Sequence, residues 1–71
     1  MKTIITREEL TKLYGSRRKA DLDAVFRFLN ELTDANLETS LSRAQREAYM
    51  RGWKKSTYRT VVDALVRKFV T

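Results

Sequence analysis

Apolar side chains recur every three or four residues along most of this chain, and that spacing predicts four helices and little else. The first opens at Thr6-Arg7-Glu8-Glu9. Threonine at the cap and glutamate three residues on can each satisfy the other's free backbone N–H. Ile5 and Leu10 are placed to close a hydrophobic staple around that cap, and Leu10, Leu13 and Tyr14 are expected inside. Gly15 is read as a left-handed stop. Ser16 is then the expected cap of a second helix over residues 17–32, whose inner stripe is Leu22, Val25, Phe26, Leu29 and Leu32, with Phe28 at its edge. Residues 33–41, broken by Asp34 and Asn36, read as a connection. Ser42, with Gln45 as reciprocal partner, is the expected cap of a third helix with Ala44, Ala48 and Tyr49 inside. Gly52 ends it in a tight turn. Ser56 or Thr57 caps a fourth helix whose stripe is Tyr58, Val61, Val62, Leu65, Val66 and Phe69. With Val70 that stripe covers about half the circumference, as suits a helix central to the fold or half-covered by a partner chain. Strand patterns are weak, with Lys2–Thr6 the one extended candidate. The expected fold is therefore all-α: a single small domain, residues 1–71, built as a compact bundle of about four short helices.

Composition narrows the chemistry. The 71 residues include no histidine, cysteine or proline. Thiolate metal sites and disulfides are excluded, and the commonest general base is missing. Asp21 and Asp23 are two apart, point to different sides of a helix and are read as acids that complement the helix dipole. With no phosphate-cradling glycine loop and no nucleophile beside a base, the expectation is a protein that is not an enzyme, with no cofactor and no metal. No apolar run approaches a membrane span, and MKTIITREEL is too short in apolar residues for a signal peptide. A cytoplasmic protein is expected.

Charge is unevenly placed. Residues 43–71 carry eight basic and two acidic side chains, which is the whole of the net charge of +6. Such asymmetry suggests an anionic partner for that half, against the plainer account of a solvated surface that keeps a small protein soluble. Residues 44–63 add a pattern: Ala48, Gly52 four residues later, Tyr58 six after the glycine and Val61 three after that. In this respect the stretch resembles the helix-turn-helix of DNA-binding proteins. The resemblance implies a recognition helix within residues 54–66, with Lys55, Ser56, Arg59 and Thr60 on its outer face to reach base edges and phosphates. It also implies phosphate contacts from Arg51 and Lys54 near the turn and from Arg43 and Arg46 on the supporting helix. Asp63 is expected to pair with Arg67, acid first at i,i+4, leaving Arg59 free. Arg67 and Lys68 otherwise suit the dipole at a helix C-terminus.

Two further features bear on partners. Trp53 either stands exposed beside Lys54 and Lys55 as an anchor or folds inward to plug the junction of the last two helices, and the inward reading is favoured on its apolar area. Arg17-Arg18-Lys19 places cations where the second helix's dipole prefers anions. That suits a phosphate or acidic-surface contact, though a solvated face explains it more simply. Read together, these residues describe a small basic nucleic-acid-binding regulator, with double-stranded DNA the expected ligand and homodimerisation through the C-terminal helix allowed. The alternatives are a small phage-type protein that inhibits or redirects a host protein by laying a basic helical surface on an acidic surface of it, and an RNA-binding or structural accessory.

Overall fold

The computed structural model describes residues 5–33 and 36–70, so most of the extended candidate at Lys2–Thr6 lies outside the described residues. The protein is all-α, with four helices among the described residues: α1 (Arg7–Tyr14), α2 (Lys19–Glu31), α3 (Leu37–Arg51) and α4 (Lys55–Val70). They fall into two compact units, Met1–Leu32 and Thr33–Thr71.

In the first unit, α1 begins on the expected capping box: the Glu9 amide donates to Thr6 Oγ1 at 3.1 Å, and the Thr6 amide to Glu9 Oε1 at 3.3 Å. Ile5 and Leu10 are both buried, as a staple requires. Tyr14 is buried too, but Leu13 stands half-exposed rather than inside. Helix α1 packs on α2, and Arg7 ties the pair together. Its guanidinium donates to Asp23 Oδ1 at 2.6 Å and lies 4.6 Å from the centroid of the Phe26 ring. The hydrogen bond from Arg7 is the main reason the Asp23 carboxyl titrates below its ordinary value; the nearby charges of Arg7, Lys19 and Arg27 add to it. Asp23 is thus a partner across helices, while Asp21 keeps its place in the first turn of α2.

Several expectations shift here. Ser16 does not cap α2. The helix starts at Lys19 behind Arg18, whose extended backbone sends its carbonyl to the Leu22 amide at 3.0 Å and whose side chain makes no cap. The buried stripe of α2 is Val25, Phe28 and Leu29, with Leu32 buried just past its end, and Leu22 and Phe26 are half-buried. The stripe is rotated toward Phe28 because Phe26 faces the Arg7 guanidinium instead. Gly15 is not left-handed: its φ is −62° and its ψ −17°. Glycine is needed there for room, since a Cβ would sit 2.5 Å from the Thr11 carbonyl oxygen.

In the second unit, α3 begins six residues earlier than expected. Asn36, not Ser42, is the cap, and its Oδ1 accepts from the Thr39 amide at 2.8 Å. Helix α3 then runs to Gly52, which is left-handed at φ 66°, ψ 38° and is the only residue with positive φ among those described. The Gly52 amide donates to the Ala48 carbonyl, and the Trp53 amide reaches the same carbonyl at 3.0 Å. A six-residue closure of this kind is the signature of a Schellman turn. Helix α4 follows at Lys55 and packs on α3. The buried residues of α3 are Ser40 and Ala44, and those of α4 are Thr57, Thr60, Val61, Ala64 and Leu65. Short side chains let two helix backbones approach closely. The buried hydroxyls of Ser40 and Thr60 cost little, because each donates at 2.8 Å to a carbonyl of its own helix region, Asn36 and Ser56 respectively.

The two glycines predict different outcomes in urea denaturation. Gly52→Ala has open space for its methyl but must hold a left-handed backbone, a strain of about 1–2 kcal/mol, and Gly52→Asn should recover much of it. Gly15→Ala has an ordinary backbone but collides with a main-chain oxygen. Asparagine should rescue nothing there. If Gly15→Asn proves milder than Gly15→Ala, the packing account of that position fails.

Candidate nucleic-acid interface

The candidate surface is built around the turn between α3 and α4. Because Gly52 reverses the chain within three residues, Trp53 and Lys54 form the link and Lys55 opens the new helix. Buried positions Thr57, Thr60, Val61, Ala64 and Leu65 fix which side of α4 faces inward. At 100° per residue the opposite side carries Lys55, Arg59, Val62, Val66 and Val70. Lys55 and Arg59 are exposed and one turn apart. Asp63 pairs with Arg67 at 3.0 Å, as the acid-first spacing predicts. Lys54, Lys55 and Arg59 form no ion pair among the described residues.

Electrostatics at the start of α4 is unusual for this chain. The first turns of α1, α2 and α3 each hold an acid, whereas that of α4 holds none. The partial positive charge of a helix N-terminus is therefore reinforced by Lys54 and Lys55 rather than offset.

The remaining candidates divide. Arg46 is exposed on α3 and forms no ion pair among the described residues. Arg43 is exposed. Arg51 is already paired with Glu47 one turn back, so its charge is partly neutralised. Ser56 is half-buried, and its carbonyl serves Thr60. Thr60 does not lie on the outer face: it is 2% exposed and its hydroxyl is committed inward. Trp53 is half-buried, between the two readings of it. Arg17, Arg18 and Lys19 are exposed, but they belong to the first unit and are described with it.

Tyr49 and Met50 were missed. Tyr49, expected inside, is 90% exposed, and Met50 beside it is 71% exposed. The available signal was the spacing of Leu37, Leu41, Ala44 and Ala48, which share one side of α3; Tyr49 lies about 120° round the helix from the last two. Among the described residues no helix is long and apolar enough to cross a membrane. The chain matches no family model, and no curated protein or solved structure is significantly similar to it.

Proposed function

We propose that the α3–turn–α4 element binds nucleic acid, with double-stranded DNA as the preferred form, and that the chain works as a small regulator rather than an enzyme. The observation that carries this reading is the trio Lys54, Lys55 and Arg59: exposed cations without ion-pair partners among the described residues, gathered by a left-handed turn at an acid-free helix start. Phosphates are recognised by such a combination of side-chain charge and first-turn N–H groups. Arg46 and Arg43 on α3 add phosphate contacts. Arg59, one turn into α4, is the residue with the reach and the hydrogen-bonding fork to read a guanine edge.

Anisotropy of labelled duplex, single-stranded DNA and RNA across salt concentrations tests the reading. With four to six phosphates contacted, log K for duplex should fall with log salt at a slope of roughly −4 to −5. A flat response, or no binding at low salt, removes the proposal. A second reading, a basic module that covers an acidic surface on another protein, is favoured by Tyr49 and Met50, since exposed aromatic and methionine side chains are enriched in protein interfaces. Nuclease-treated affinity capture separates the two: a stoichiometric protein partner that survives the nuclease supports the second, and its loss supports the first.

A further inference from the structure

We infer that the outer face of the last two turns of α4 binds the same face of a second copy of this chain, antiparallel and centred on Val66. Val66 is 39% exposed and Val70 66% exposed, with Val62 and Phe69 half-buried beside them. Val62, Val66 and Val70 lie opposite the buried face of α4, and Phe69 lies on its flank. Val62, Val66 and Val70 are spaced four and four, so a two-fold axis at Val66 sets Val62 of one copy against Val70 of the other and Val66 against itself.

Charge identifies the occupant. An acidic partner would be drawn to the other end of this face, where Lys54, Lys55 and Arg59 lie. The valine end carries Asp63 and Arg67 on one flank, already joined by a hydrogen bond of 3.0 Å, while Lys68 lies toward the far side of the helix. A two-fold axis keeps that flank on the same side in both copies. It brings Asp63 of each within about 3 Å, measured along the helix axis, of Arg67 of the other. An apolar stripe with one acid and one base on its flank is thus complementary to its own inverted copy. The overlap is only about nine residues of helix, well short of a standard interface, so the dimer is weak and concentration-dependent. Under the DNA reading it would also set the two Lys55 positions about 33 Å apart, close to the roughly 34 Å of one duplex turn. The pairing itself requires no nucleic acid.

The chain's lack of cysteine makes the test direct. Single variants Val62→Cys, Val66→Cys and Val70→Cys, with Ser42→Cys on the exposed side of α3 as control, are incubated with oxidised glutathione in the absence of nucleic acid. Far-UV circular dichroism checks that each is folded. Facing helices bring Val66 within disulfide range of itself, whereas like residues at 62 or at 70 lie about 12 Å apart along the axis. Val66→Cys should give disulfide dimer roughly tenfold faster than the control, as pre-associated thiols do. The two flanking variants should match the control. Equal linking at all three valines means parallel pairing, and linking at 66 no faster than at 42 means no pairing; either overturns the inference. Sedimentation equilibrium adds a second readout: the average mass should rise above 8.4 kDa with concentration, and Val66→Asp should stay at the monomer mass.

Discussion

Replacing Lys55 and Arg59 together by glutamate is expected to weaken duplex DNA binding by about 3 kcal/mol, roughly 150-fold, at moderate salt. The magnitude follows from losing two cations at the start of α4 and placing two carboxylates where phosphates would lie. The fold should not suffer. Both side chains are exposed and neither forms an ion pair among the described residues. Stability should change little: glutamate at position 55 complements the helix dipole by about 0.3–1 kcal/mol, and α4 has no acid in its first turn, while glutamate at 59 stands one turn from Asp63 and repels it by a few tenths of a kcal/mol. Binding therefore falls while the melting temperature holds, which a merely misfolded variant cannot imitate. Anisotropy paired with thermal melting reads both. A double variant that binds duplex as tightly as the parent would place any nucleic-acid surface elsewhere on the chain.

Leu65→Ala should be the most damaging single core change in the second unit. Leu65 is fully buried, and truncating such a leucine costs about 2–5 kcal/mol through lost burial and the cavity left behind. A domain of this size has a total stability of only about 4–10 kcal/mol, so the variant should be largely unfolded in mild urea. Val66→Ala, at the very next residue, should cost less than about 1 kcal/mol, because that side chain looks outward. Urea midpoints for the pair measure the inner and outer faces of α4 directly. Equal losses at the two positions would mean that the facing of α4 is wrong.

Local signals proved readable wherever a few neighbouring residues decide the outcome. The Thr6–Glu9 box, the left-handed Gly52 and the Asp63–Arg67 pair depend on chain neighbours three to five residues away, and all three stand as their spacing implies. What stayed hidden depends on tertiary packing. The early start of α3 was obscured because its first buried side chain is Ser40, a polar residue that reads as surface until its hydroxyl is seen to serve the Asn36 carbonyl. Tyr49 is outside for a separate reason: at 100° per residue it lies about 120° round α3 from the side that carries Ala44 and Ala48. Thr60 misled as Ser40 did, since a threonine that satisfies its own hydroxyl packs like a small apolar residue. Gly15 was chosen for space rather than for backbone sign, a distinction visible only once the Thr11 carbonyl is in place. Of the candidate site, Lys54, Lys55 and Arg59 were legible from charge and the turn together. The partial neutralisation of Arg51 needed the Glu47 geometry.

The geometry of the exposed turn at Gly52 has a consequence for chemical synthesis. Its backbone angles, φ 66° and ψ 38°, are near the mirror image of an ordinary right-handed helical residue. A D-alanine installed there would be in its own favoured region, where the L form is strained. It would restrict the unfolded chain and reinforce the bend, so the handedness of a single α-carbon becomes a way to stiffen the junction without altering any charge.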